Sequence, residues 1–159
     1  MEIKRIIIID EKVMDKLTDM VDCYLREADE YDVEHKDAMA VIDTLVRTNK
    51  GALFGAFNKD CLIGYMALET CMNLGRLVTV LHQMYVNQEH EEMESFDALL
   101  KVGSEWAKET KANSIYFPVR RYSGMFKRLS FKGWNVDSTV LKLNLVQGGN
   151  HASNSKTDN

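Results

Sequence analysis

The chain reads as one α/β (α+β) domain, and three observations lead there. Short β-branched runs alternate with longer segments whose apolar residues recur at helical spacing, in the order β-α-α-β-β-β-α-β-α-β. The 159 residues are 45% hydrophobic with a single proline, enough apolar content for one full core. The pattern runs through residues 1–146 and then stops: "QGGNHASNSKTDN", residues 147–159, holds no large apolar residue and is expected to be a disordered tail.

Each element follows from its residues. "IKRIIII" (3–9) is short and β-branched, hence a strand. Asp10 offers a carboxylate cap to a helix carrying Val13, Leu17, Met20, Val21 and Tyr24 on one stripe. A second helix has the stripe Ala38, Val41, Ile42 and Leu45, and "TNKG" puts Gly51 in the stop position. "ALFGAFNKDCLIGYMALE" is two strands around the turn "NKD". "MNLG" turns the chain into "RLVTVLHQMYV", whose large apolar and β-branched residues suit a central strand. From Glu91 to Ala112 the period changes to about 3.6, with Phe96, Leu99, Leu100, Gly103, Trp106 and Ala107 on one face. "SIYFPV" is another strand, "YSGMFKRLSFKG" a short helix ending at Gly133, and "STVLKLNLV" a last strand with clean alternation.

Composition excludes several functions. A net charge of −4, with no basic cluster beyond the pair Arg120 and Arg121, argues against a nucleic-acid or anionic-membrane footprint. The longest apolar run, "RIIIID", has the length of a strand and is far short of a membrane span; with no cleavable signal before it, a cytoplasmic location is expected. Cys23, Cys61 and Cys71 form no CxxC pair and are odd in number, which suits a reducing compartment and gives no zinc site; they are expected to be small buried residues. "HEEM" at His90 has no second histidine at helical spacing, so no metal site is expected there.

Two stretches carry a family signal. "LHQMYVNQEHEEMESFDALL" (81–100) resembles the fourth strand, pyrophosphate loop and third helix of the GNAT superfamily of acyl-CoA-dependent N-acetyltransferases. "MFKRLSFKGWNVDSTVLKLNL" (125–145) resembles that family's closing helix, its Gly-aromatic turn, here Gly133 and Trp134, and its last strand. The element order agrees over residues 1–146. The resemblance implies a GNAT-like single domain with a central mixed, twisted sheet of about six to seven strands flanked by about four helices. Short, divergent chains with this ending also resemble GNAT-like proteins of tailed bacteriophages, which would place the protein in a host cytoplasm or a virion.

Where the family carries a basic residue and then glycines, so that bare amides can approach the CoA pyrophosphate, this chain has Glu91, Glu92 and Glu94, with Phe96 at the last glycine position. A carboxylate about 6 Å from a phosphate costs roughly 0.7 kcal/mol in water and about 3 kcal/mol at an effective dielectric near 20. The acids also have a structural use, since each favours a helix N-terminus by about 0.3 to 1 kcal/mol. On this account binding of acetyl-CoA is expected to be weak or absent.

The strand before the loop keeps a catalytic option. Where the family commonly has a carboxylate, this chain has His82 and Gln83, and an imidazole is a competent general base at neutral pH. Glu69, at the end of the preceding strand, is a second candidate base, with a solvated strand end as the alternative reading. Main-chain groups of Met84, Tyr85, Val86 and Asn87 are the candidates to hold a pantetheine arm, and Arg120 or Arg121 to bind its phosphates. The family's general-acid tyrosine maps onto Leu129, so that role is vacant; Tyr116 and Tyr122 lie nearby in sequence. Two functions remain open. One is a divergent N-acyltransferase acting on a small or protein amine. The other is a catalytically silent GNAT-fold binding or assembly protein with a protein partner, a homo-oligomer being compatible with both.

Overall fold

The computed structural model describes residues 1–27, 33–48, 50–87, 92–118 and 124–135. Arg120, Arg121, Tyr122, Glu91, the predicted strand 138–146 and the predicted tail 147–159 lie outside those residues.

Among the described residues, five strands form one sheet in sequence order, β1 (Glu2–Ile6), β2 (Gly51–Asn58), β3 (Cys61–Asn73), β4 (Arg76–Val86) and β5 (Ile115–Tyr116). The first four pair antiparallel and β4 pairs with β5 in parallel, so the sheet is mixed. Helices α1 (Glu11–Glu27) and α2 (His35–Arg47) separate β1 from β2; α3 (Glu92–Glu109) joins β4 to β5, and α4 (Gly124–Phe131) follows. Five strands among these residues fall below the expected count of about six to seven, with the last predicted strand outside them.

The core has two halves, one on each face of the sheet. Leu17, Met20 and Val21 of α1 and Ala38, Ile42 and Leu45 of α2 bury against Leu53, Leu62, Tyr65 and Ala67. On the other face Phe96, Leu99 and Trp106 of α3, with Leu129 of α4, pack on Phe54, Met66, Leu68, Leu81, Met84 and Val86. Alternation along β3 and β4 feeds the two halves in turn, as a sheet buried on both faces requires.

The ends of several elements follow their sequence signals. The backbone N–H of Val13 donates to Asp10 Oδ1 at 2.9 Å, the predicted cap. Gly133 stands at φ +85°, and the N–H groups of Trp134 and Gly133 donate to the carbonyls of Leu129 and Ser130, a Schellman ending for α4. Helix α3 ends the same way, but with a lysine in the left-handed position: Lys111 has φ +62°, and Ala112 N–H donates to the Ala107 carbonyl at 2.9 Å.

Other expectations need correction. The first strand stops at Ile6, opposite Leu53, and Ile7 and Ile8 are 71% and 75% exposed. A β-branched run stays in a sheet only while a neighbour pairs with it, and here the chain must turn into the Asp10 cap. Val41 lies off the α2 stripe and is exposed. Gly51 is no helix stop: α2 closes at Arg47, and Gly51 opens β2 where a Cβ would come within 2.5 Å of Leu45 Cδ2. The strand predicted over "SIYFPV" is only Ile115–Tyr116; Pro118 has no N–H to donate to a ladder. The cysteines are free, and none is buried, Cys61 being exposed.

Candidate active site on the fourth strand

β4 changes character at its midpoint. Thr79 pairs with Ile115 and Val80 with Tyr116, and Thr79 N–H donates to the Ser114 carbonyl at 2.9 Å. Beyond Val80 no described residue pairs with β4 on that side, although β3 continues to pair with it on the other as far as Val86. Among the described residues the β4–β5 ladder therefore ends at Val80, and the edge of Leu81–Val86 on that side has no described strand partner.

The same point carries a bulge. Ala67 pairs with Gln83 and Leu68 with Leu81, which leaves His82 as the extra residue of β4. Leu81 and Met84 belong to the α3 half of the core. His82 and Gln83, consecutive residues, both turn to the α1/α2 face, which a regular strand forbids.

There His82 meets the other candidate base. Its Nε2 lies 2.9 Å from Glu69 Oε2, with the side chains 31% and 35% exposed. Sequence reasoning offered His82 and Glu69 as rivals; the fold makes them a pair. A carboxylate only accepts, so the imidazole nitrogen facing it carries the proton, and in the neutral ring the lone pair is on Nδ1. The pair thus has the form of an oriented base, with the carboxylate fixing the ring and facing the charge that a captured proton creates.

The residues proposed for a pantetheine arm divide by face. The side chains of Met84 (2% exposed) and Val86 (7%) are core. Asn87 N–H donates to the Ile63 carbonyl at 2.9 Å, toward β3. By the alternation of an antiparallel ladder, the main-chain groups of Val86 and Met84 then face the opposite side, where no described strand pairs with them. Tyr85 turns its ring to α1, where burial, followed by hydrogen bonding to Cys23, holds its phenol well above the usual tyrosine range.

The helix start offers less to a phosphate. Glu94 is exposed, while Phe96, at the family's last glycine position, is 1% exposed in the α3 half of the core. Its ring is part of the core. Leu129, at the vacant general-acid position, is likewise core, and Tyr116 is half-buried. Two surface concavities lie elsewhere. One of about 410 Å³ is lined by Lys12, Lys16, Phe57 and Lys59, and one of about 340 Å³ lies between α1 and α2 by Met14, His35 and Met39. Among the described residues no cluster of three His, Cys, Asp or Glu side chains could hold a metal, and no helix is long and apolar enough to cross a membrane.

Two polar side chains beside His82 escaped the sequence reading as functional residues. Tyr24 Oη donates to the His82 carbonyl oxygen at 3.3 Å. Gln83 accepts from Tyr65 Oη at 3.1 Å and donates to the Ala38 carbonyl at 3.2 Å. The available signal was a glutamine inside an apolar central strand, where a buried amide must find partners.

No protein-family model and no curated protein sequence matches the chain. Solved structures do. The ribosomal-protein-alanine N-acetyltransferase of Brucella melitensis biovar Abortus superposes with a TM-score of 0.67 at 14% identity, over 91% of this chain and 99% of that one. The aminoglycoside N-acetyltransferase AAC(6')-Iy in complex with CoA gives 0.69 at 10% identity, over 90% and 93%. An aminoglycoside acetyltransferase from an uncultured soil metagenomic sample, in complex with sisomicin, gives 0.66 at 9% identity, over 92% and 95%. The chain has the GNAT fold. At these identities the GNAT fold is what is shared, and the chemistry rests on the residues that the fold brings together.

Proposed function

We propose that this GNAT-fold chain is an acyl-CoA-dependent N-acyltransferase with His82 as general base, oriented by Glu69. One observation carries the reading: the end of the β4–β5 ladder among the described residues, the bulge and the His82–Glu69 bond all fall at the same point of one strand. Acyl-CoA would supply a thioester carbonyl for attack by an amine. Met84 and Val86 would bind the extended arm through main-chain groups, as an added strand does. Nδ1 of His82 would take the proton that the amine loses, and Glu69 would keep the ring in place. Arg120 and Arg121 are the proposed partners for the phosphates, and a small or protein amine is the proposed acceptor.

The test is release of free CoA thiol from acetyl-CoA in the presence of a panel of primary amines. Amine-dependent release is expected, falling about 10²- to 10⁴-fold in His82→Ala, the range for loss of a general base. Release that is equal in His82→Ala and wild type would remove His82 from the chemistry.

One observation favours the second reading, a catalytically silent GNAT-fold binding or assembly protein such as a phage particle component. α3 opens on acid, with Glu92 as its first residue and Glu94 exposed in its first turn. Calorimetry with acetyl-CoA separates the two. No heat at millimolar ligand, together with no thiol release, would favour the silent form. If binding is weak but present, Glu91→Arg, Glu92→Gly and Glu94→Gly should strengthen it, with a gain that shrinks as salt is added.

A further inference from the structure

A bulge inside a central strand disrupts the ladder and must be held by something else. Side chains from β3 and α1 and a main-chain carbonyl from α2 supply the hold. Tyr24 of α1 donates its hydroxyl hydrogen to the carbonyl oxygen of His82, the extra residue. Gln83, 6% exposed, is fixed at both ends of its amide, by Tyr65 of β3 and by the Ala38 carbonyl of α2. A ladder without the extra residue would put residues 82 and 83 on opposite faces. Only in the bulged form can His82 reach Glu69 while Gln83 reaches Tyr65 and Ala38.

We infer that Tyr24 and Gln83 are positioning residues, which hold the bulge that sets the His82 ring against Glu69. The inference deepens the reading of His82 as a base and rests on it, but the geometry it describes can be measured without a substrate. Tyr24 fixes the backbone of the bulge from α1, and Gln83 pins the next residue to β3 and α2. The two helices thereby act on the imidazole through main chain and amide.

The imidazole nitrogens of His82, followed by heteronuclear NMR in the intact chain, give the test. Wild type should show a single tautomer with the proton on Nε2, and Glu69→Ala should abolish that preference. Tyr24→Phe, which removes one oxygen, and Gln83→Leu should each move the His82 signals at least halfway toward their Glu69→Ala positions. Ile6→Val, a core change in β1, three strands from β4 in the sheet, should leave them in place. Wild-type signals in either folded variant would overturn the role of the residue changed. Should neither variant fold, amide hydrogen exchange in the unmodified chain decides: the N–H of Gln83, which faces β3, should be as protected as that of Val78, and exchange a hundredfold faster would overturn the inference. A chain that shows the shifts but transfers no acyl group would keep the positioning and lose the proposed function, whereas transfer without the shifts would do the reverse.

Discussion

Replacing Phe96 and replacing Glu94 should have opposite weights, although both stand where the family places glycine. Phe96 is 1% exposed among Leu81, Met84, Val86 and Leu99. Truncation to alanine removes the ring and leaves a cavity that α3 and the sheet cannot close, at a cost of about 3 to 5 kcal/mol. A domain of this size holds roughly 5 to 15 kcal/mol in all. With a shift of about 2 to 4 °C per kcal/mol, the midpoint of thermal unfolding should fall by roughly 6 to 20 °C. Phe96→Leu keeps much of the volume and should cost well under the alanine change. Glu94→Ala removes an exposed carboxylate from a first helical turn and should cost at most about 0.3 to 1 kcal/mol. Urea unfolding followed by circular dichroism measures all three. A Phe96→Ala cost below about 1 kcal/mol would refute the core assignment and return Phe96 to the ligand path.

Other consequences follow from the same packing. Trp106→Ala should lower stability by about 3 to 5 kcal/mol, since the indole is 7% exposed in the same core; a loss under about 1 kcal/mol would mean the α3 face is misassigned. Lys111→Gly should raise the unfolding midpoint by the equivalent of about 1 kcal/mol, because it relieves a non-glycine residue at φ +62°, whereas Lys111→Ala should not; equal midpoints would show that the turn carries no strain. Burial holds the Tyr65 phenol well above its ordinary value of 10.0, so the folded chain keeps a proton that the unfolded chain loses. That contribution is complete below pH 10 and is lost as pH rises from there, so stability should fall in strong alkali and the phenolate absorbance of Tyr65 should appear only with unfolding. Titration of all six tyrosines in a chain still folded by circular dichroism would contradict it.

The sequence by itself determined what depends on neighbours along the chain. The Asp10 cap, the Gly133 ending of α4, the stripe of α3 and the turn at "MNLG" are local: a carboxylate three residues before an N–H, a residue free to take positive φ, a period of 3.6. The agreement of these elements in order was enough to make the GNAT fold legible, and with it β4 as the strand to inspect. What only the tertiary structure decided depends on partners far apart in sequence. The end of β1 at Ile6 was set by where β2 stops pairing, and the shortness of β5 by its register on β4. Phe96 had two readings in the sequence, the apolar face of the helix and the family's last glycine position, and the sheet beneath it decided for the core. The site shows the same division. His82 and Glu69 were both visible as candidates, but an alternation rule assigns strand faces two residues at a time, and a single extra residue in β4 reverses it. No local signal marks that residue, because the bulge exists only in the pairing of β4 with β3 and in the hydrogen bonds with Tyr24, Tyr65 and the Ala38 carbonyl that hold it.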